Sequence, residues 1–147
     1  KLLEQNQNIK LVIIGDGPLR NKINNYIIRN NLDKSIKLKG KLNNPYREIS
    51  QSDYFILPSE SEGISRAALE ALYLGKPCLL RDVDGNRELI TNKTNGLLFK
   101  DDKEMFKAIL RLMKIKNSRK KSLLPINFTK RLAVQKHTSF FREISND

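Results

Sequence analysis

The chain has 147 residues, 39% of them hydrophobic, and carries 28 Lys and Arg against 16 Asp and Glu for a formal net charge of +12. That size and composition suit one globular domain with a core of its own and exclude a disordered tail. The longest apolar runs, such as LVII at 11–14, fall far short of the ~18 residues a membrane span needs, and no charged-then-apolar signal peptide opens the chain.

In chain order, KLLEQNQNIK at 1–10 resembles the end of a helix running into a strand. With no initiating methionine, the chain reads as a piece of a longer protein. IKLVIIG at 9–15 is a short apolar run closed by glycine, followed by a polar amphipathic stretch from Pro18 to about Asn31, which predicts a strand and then a helix. IKLKG at 36–40 alternates as a strand, NPYREIS opens a short helix, and DYFILPS at 53–59 is a buried strand closed by Pro58. An alanine-rich helix follows over SEGISRAALEALYLGKP, 61–77. PCLLRD is the next strand and NRELI a helical turn. NGLLF is a further strand, and DDKEMFKAILRLMKI is a helix whose Asp101 and Glu104 have capping-box spacing. Pro125 breaks the chain before a last helix at about 129–144. Short strands separated by helices imply a parallel sheet covered on both faces, whose ligands gather at the carboxyl ends of the strands.

Cys78 is the one cysteine, so it forms no internal disulfide. It follows Pro77 in an apolar run, which predicts a buried thiol and a reducing compartment. Between Met105 and Arg142 stand eleven Lys or Arg and no Asp or Glu. Such a block suits nucleic acid, an anionic membrane surface or a phosphorylated substrate, and equally a plain solvated face. Few aromatics interleave with the charges, and no zinc, RNA-recognition or basic-zipper signature is present, which disfavours nucleic acid. His137 has no Cys or second His near it, so no metal spacing arises. It belongs at the surface or edge of the last helix.

Two loops invite a functional reading. GDGPLR, Gly15 to Arg20, follows the first strand. A dinucleotide fingerprint wants a small residue where Arg20 stands and an acid about twenty residues on, where Gly40 and Lys41 stand. What survives is a strand-to-helix turn with two glycines and Pro18, whose amides could approach an anion, or a plain tight turn. RDVDG at 81–85 holds an Asp-x-Asp pair. Two acids in a loop before a glycine read better as a solvated pair than as a metal site.

On the 61–77 helix, steps of about one hundred degrees put Ile64, Ala67, Ala68, Ala71, Leu72 and Leu74 on one face. Arg66, Glu70 and Tyr73 fall opposite. Small residues let this helix approach the sheet closely. Its amino end carries unpaired amides and partial positive charge, with Gly63 leaving room for a phosphate or a sugar hydroxyl. Glu62 and Glu70 each have an ordinary explanation, a favourable acid near a helix start and an i,i+4 pair with Arg66 worth at most ~0.5 kcal/mol. Eight helical residues rise ~12 Å, more than the roughly 5 to 9.5 Å between the paired carboxylates of a glycoside hydrolase. That spacing suits two ends of a long ligand such as a nucleotide diphosphate sugar.

VIIGDGPLRNKI, IKLKGKLN, SDYFILPSESEGISRAALEALYLGKPCLL and DGNRELITNKTNGLLF, in this order, resemble the carboxyl-terminal, donor-binding domain of family-four retaining glycosyltransferases of the GT-B fold. The likeness runs from about Ile9 to Phe99 and tapers beyond. Its most specific element is the Glu-x7-Glu block between Pro-Ser and Gly-Lys-Pro. The resemblance implies a Rossmann-like α/β fold, a parallel sheet with helices on both faces, forming the C-terminal half of a GT-B enzyme. Residues 1–125 would be the nucleotide-sugar-binding domain, truncated at its N-terminal end, and 126–147 a basic helix; the N-terminal acceptor domain would be absent.

By the same resemblance, Glu62 sits beside the donor sugar as the catalytic residue, and the amides of Gly63, Ile64 and Ser65 contact sugar hydroxyls or phosphate. Glu70 holds the ribose hydroxyls, Gly15 and Gly17 border the phosphate end, and the backbone of Lys41 and Leu42 borders the base. The implied reaction moves a sugar from a UDP- or GDP-sugar to a saccharide or lipid-linked acceptor with retention, and requires no metal or cofactor. The implied setting is bacterial cell-envelope polysaccharide synthesis in the cytoplasm, peripheral to the inner face of the membrane, with Lys120 and Lys121 against anionic lipid. The Arg and Lys with which the family clamps the diphosphate lie upstream of the first strand, outside this chain, so the fragment alone is expected to be inactive. The alternatives are a nucleotide-sugar epimerase of related fold, a noncatalytic nucleotide-sugar-binding module and, last, a basic nucleic-acid-binding domain.

Overall fold

A computed structural model describes residues 8–91, 93–115 and 121–128. The chain divides into two compact units, Lys1–Glu48 and Ile49–Asp147.

In the first unit, β1 (Leu11–Ile14) and β2 (Ile36–Gly40) pair in parallel around α1 (Arg20–Arg29). The register shifts between Ile13 and Ile14, so that Ile14 lies opposite Gly40, and the Gly15 amide donates to the Gly40 carbonyl at 2.8 Å. The predicted helix from Pro18 to Asn31 is shorter because Pro18 and Leu19 are still in the turn. Its end is a Schellman motif: Asn31, at φ 54°, donates to Ile28, and Leu32 to Ile27. Ile27 is the buried side chain of α1. Leu11, Val12 and Ile14 of β1 remain 36–41% exposed, so this strand is less covered than a sheet packed on both faces predicts. A short helix α2 (Tyr46–Gln51) spans the boundary between the units. Asn44 caps it by accepting from the Tyr46 amide at 3.1 Å, with Pro45 between them.

The second unit is built on a three-stranded parallel sheet in the order β3 (Phe55–Leu57), β4 (Cys78–Arg81), β5 (Gly96–Phe99). Hydrogen-bonded strands therefore form two sheets and not one ladder of five. β3 keeps only three of the seven residues predicted for it. Its centre carries the apolar residues, and Pro58, with no N–H to donate, follows its last residue.

Central β4 shows the alternation of a strand covered on both sides. Cys78 and Leu80 pack with Ala68, Ala71 and Leu72 of α3 (Arg66–Tyr73), and with Leu89 of α4 (Asp84–Leu89). Leu79, between them, packs with Phe99, Ala108 and Leu112, the last two on α5 (Asp102–Leu112). All three β4 side chains are fully buried. Truncating one such leucine costs about 2–5 kcal/mol. The expected α/β architecture with helices on both faces of a parallel sheet is thus present in this unit.

The inward face of α3 is narrower than its sequence periodicity predicts. Ala68, Ala71 and Leu72 are fully buried and Leu74 is half-buried, but Ile64 is 49% exposed and Ala67 is exposed. Helical geometry starts at Arg66, so Ile64 never joins the face. Glu70 is half-buried, while Arg66 and Tyr73 are exposed as predicted. The helix closes with Gly75 at φ 73°, its amide donating to Leu72 and that of Lys76 to Ala71.

At the start of α5, Asp101 accepts from the Glu104 amide at 2.8 Å, and Glu104 accepts from the Lys100 amide at 2.8 Å. The capping is reciprocal, as predicted, but reaches one residue further back than the usual box. Asn95, 2% exposed, ties the α4–β5 turn: its side chain donates to the Leu89 carbonyl at 2.9 Å and accepts from the Thr91 amide at 3.2 Å. A 3-10 turn, Ile126–Phe128, is the final described element. The helix predicted over 129–144, with His137, lies outside the described residues.

Candidate functional site

The carboxyl end of β3 leads through residues 58–65 into α3, and this loop carries most of the residues that the sequence singles out. Ser65 is buried and caps the helix, its Oγ accepting from the Ala68 amide at 3.3 Å. The amides of Gly63, Ile64 and Ser65 make no hydrogen bond among the described residues. They are the orphan donors of a helix entrance and can take an acceptor from outside the chain. Glu62 is half-buried, with neither an ion pair nor a hydrogen bond among the described residues. It lies in the loop, so the path from Glu62 to Glu70 is only partly helical and the ~12 Å estimate for eight helical residues does not apply. Glu70 stands on the body of α3. Glu70 has an interaction of its own within the chain.

Gly63 is open on one side and packed on the other. A Cβ built on it meets nothing within 4 Å. Behind it, a Cβ on Gly85 in the first turn of α4 would lie 1.5 Å from the Gly63 carbonyl oxygen, 2.2 Å from its carbon and 3.0 Å from the Ile64 nitrogen. The loop peptide therefore rests directly on the backbone of α4.

The neighbouring end of β4 carries the charges. Arg81 reaches Glu60 at 3.6 Å. Asp82 and Asp84, the Asp-x-Asp pair, are both held by Arg87, whose Nε donates to Asp82 at 2.6 Å and whose Nη1 donates to Asp84 at 2.9 Å. The hydrogen bond to Asp82, and then the charge of Asp82, hold the Arg87 guanidinium above its ordinary pKa. Asp82 is only 14% exposed, so it is an ion-paired acid and not a solvated one. No group of three or more His, Cys, Asp or Glu among the described residues has the arrangement of a metal site. Asn86 is fully buried. Its Nδ2 donates to the Arg81 carbonyl at 3.0 Å, and its Oδ1 has no partner among the described residues.

In the first unit the parallel pairing brings the ends of β1 and β2 together, and with them Gly15 and Gly17 on one side and Gly40, Lys41 and Leu42 on the other. The amide of Gly17 donates to Asp16 Oδ1 at 2.9 Å, and that of Gly15 to Gly40. Both glycine amides are therefore engaged within the turn and are not offered to an anion. The turn does offer space, since a Cβ at either glycine meets nothing within 4 Å. It also offers a cation: Arg20, paired to Asp16 at 3.0 Å, lays its guanidinium against Gly40, where a Cβ would come within 2.5 Å of Nη1. Lys41 is exposed and Leu42 half-buried.

Sequence reasoning missed three contributors. Arg20 entered as the residue that breaks the dinucleotide fingerprint and within VIIGDGPLRNKI, with no role of its own. Gly85 and Asn86 entered only within the segment DGNRELITNKTNGLLF and as a turn glycine and the start of a helical turn, with no role of their own. For Gly85 and Asn86 the available signal was that Asp-Gly-Asn at 84–86 lies just past the end of β4, two residues separating it from Arg81.

Residues 1–122 match the family model of the glycosyl transferases group 1. The chain is 35% identical over 131 residues to UDP-Gal:alpha-D-GlcNAc-diphosphoundecaprenol alpha-1,3-galactosyltransferase of Escherichia coli, covering 82% of this chain and 34% of that protein. It is 33% identical over 129 residues to protein CapJ of Staphylococcus aureus, covering 84% of this chain and 32% of the relative. The pneumococcal O-GlcNAc transferase GtfA, solved with UDP and GlcNAc, matches 99% of this chain and 31% of its own at a TM-score of 0.79 and 21% identity. Lipopolysaccharide outer core galactosyltransferase WaaB, in its apo form, matches 97% of this chain and 44% of its own at 0.77 and 22%. The chain thus spans about a third of the curated relatives' length. At such identities the structural matches show the fold, which is the GT-B type expected from the sequence. By its family model and its relatives alike, the chain belongs to the glycosyl transferases group 1.

Proposed function

We propose that this chain is the donor-binding part of a retaining glycosyltransferase, which moves a sugar from a nucleotide diphosphate sugar to a saccharide or lipid-linked acceptor. The observation that carries the reading is the β3–α3 loop. Three unpaired amides, Gly63 to Ser65, stand beside Glu62 at the carboxyl end of a parallel strand, where α/β sheets take ligands. In this reading the amides receive sugar hydroxyls or phosphate oxygens, Glu62 orients the sugar, and Glu70 takes the ribose hydroxyls. In the first unit, Gly15 and Gly17 border the phosphates, and the backbone of Lys41 and Leu42 borders the base.

In the reaction the bond from the anomeric carbon to the diphosphate oxygen breaks, and its electron pair leaves with the diphosphate. The acceptor hydroxyl oxygen bonds the same carbon from the same face and loses its proton to the departing phosphate. The protein's work is positioning, together with charge stabilisation by donors fixed before the reaction. The Escherichia coli relative is named for UDP-galactose and a diphosphoundecaprenol acceptor, and the GtfA structure contains UDP. These names support a uridine nucleotide and a cell-envelope acceptor here. An anionic membrane surface suits the basic segment around Lys121, and no described helix is long and apolar enough to cross a membrane.

Calorimetric titration of the full-length protein with UDP, GDP and their sugar conjugates tests the reading. Saturable binding to one nucleotide family, with its sugar conjugate bound more tightly, is the expected result. Failure to bind any of them would overturn it.

A further inference from the structure

Of Gly63, Gly85 and Gly96 in the second unit, Gly85 lies nearest to another backbone segment, the carbonyl of Gly63. Neither glycine has a left-handed φ, so any residue could adopt the backbone at 85. What excludes other residues is space: an added methyl would overlap the Gly63 carbonyl outright. Gly96 differs, because its φ of 157° and a clash with the Cys78 carbonyl both forbid a side chain. Gly96 stands where β5 begins, opposite Cys78, at the other end of the sheet from the loop.

The first turn of α4 is itself fixed. Asn86 Nδ2 donates to the Arg81 carbonyl at the end of β4, and the Asn86 amide donates to Val83 at 3.0 Å. A path of rigid parts thus runs from the end of β4 through Asn86 to Gly85, and from Gly85 to the peptide that joins Gly63 to Ile64. The far side of that peptide's glycine is open.

We propose that Gly85 is a positioning residue for the sugar end of the donor site: by giving the Gly63–Ile64 peptide a flat backbone seat, it sets the direction of the amides that receive the sugar. The proposal rests on the donor-binding reading above for its ligand, but not for its geometry. A group held in place through a rigid neighbour loses its effect when displaced by about 1 Å. Glu70, on the body of α3, is not seated on Gly85, so the nucleotide end of the site is spared.

The test compares wild-type, Gly85→Ala and Gly96→Ala in the full-length protein. Calorimetry gives the affinities for UDP and for UDP-galactose, the probe suggested by the Escherichia coli relative. Amide NMR of the ligand-free second unit's signals reports on Gly63, Ile64 and Ser65. Gly85→Ala is expected to keep UDP affinity within about threefold, to lose tenfold or more of the additional affinity for the sugar conjugate, and to shift the three loop amides. Gly96→Ala is expected to lower the Tm at least as much while leaving the ratio of the two affinities and the loop amides unchanged. Asn86→Ser, which releases the α4 turn without adding bulk, gives the same pattern at smaller amplitude and serves if Gly85→Ala does not fold. Equal loss of both affinities in Gly85→Ala, or loop amides that do not move, overturns the proposal. Wild-type protein that binds neither ligand, yet shows the loop shifts in Gly85→Ala, overturns the donor reading and upholds the coupling.

Discussion

The ammonium group of Lys76 is buried, with the residue 3% exposed, and donates to the carbonyl oxygen of Ser50 at 2.7 Å. This bond joins the segment after α3 to the end of α2 across the base of the second unit. A hydrogen bond to a charged group contributes about 1.5–3 kcal/mol. Lys76→Ala is therefore expected to lower unfolding stability by about 2–3 kcal/mol, read from urea denaturation. A change under about 0.5 kcal/mol would mean that the ammonium contributes nothing net there.

Glu62 and Glu70 separate the two ends of the proposed donor. With Glu70 on the ribose, Glu70→Ala weakens UDP and its sugar conjugate alike, by roughly 10- to 150-fold for a hydrogen bond to a charged group. Glu62→Gln leaves UDP binding unchanged and lowers turnover with the sugar conjugate. Titration of both ligands against both variants decides the matter. If Glu70→Ala affected the conjugate alone, the assignment of the two ends would be reversed.

The strands were legible because they are apolar or alternating runs bounded by Gly, Pro or Asp, and α3 because it concentrates small residues on one face. The Glu-x7-Glu block likewise marked the loop at the carboxyl end of β3. The contact of Gly85 with Gly63 was not legible, since it joins distant backbones with no side chain to leave a pattern. Lys76 looked like punctuation in Gly-Lys-Pro, because burial of a lysine depends on an acceptor that sequence does not place. The Gly15–Gly17 turn looked like an anion cradle until Asp16 and Gly40 were seen to occupy its two amides. Periodicity likewise put Ile64 on the buried face, whereas the helix begins only after Ser65.

Cys78 is fully buried beneath α3, its Sγ 3.4 Å from the Lys76 carbonyl oxygen and 3.9 Å from that of Ala68. Burial pushes the thiol pKa well up, as the charged thiolate would lose its water. The folded pKa lies above the unfolded value of about 8.5. The contribution of the thiol is thus fully present below that pH and is lost as the unfolded chain ionises above it. The stability difference between wild-type and Cys78→Ala is expected to be constant from pH 6 to 8. It should then shrink by about 1.4 kcal/mol per pH unit above about 8.5. Below that pH, maleimide labelling should follow global unfolding and not precede it. Rapid labelling of the native protein would show that the thiol is reachable without unfolding.

Helices α1 and α3 end in the same pair of backbone hydrogen bonds with different residues in the left-handed position, Asn31 at φ 54° and Gly75 at φ 73°. An L-residue other than Asn, Asp or Gly loses about 1–2 kcal/mol in that conformation. Asn recovers part of this through local hydrogen bonding. Gly75→Ala is therefore expected to cost about 1–2 kcal/mol, and Asn31→Ala about 1 kcal/mol. Asn31→Gly should not destabilise, since relief of the left-handed strain offsets the greater freedom of glycine in the unfolded chain. Urea denaturation of the three variants gives the order. If alanine were tolerated at 75 as well as at 31, the helix ends would be held by the packing of Leu32 and Lys76 and not by backbone conformation.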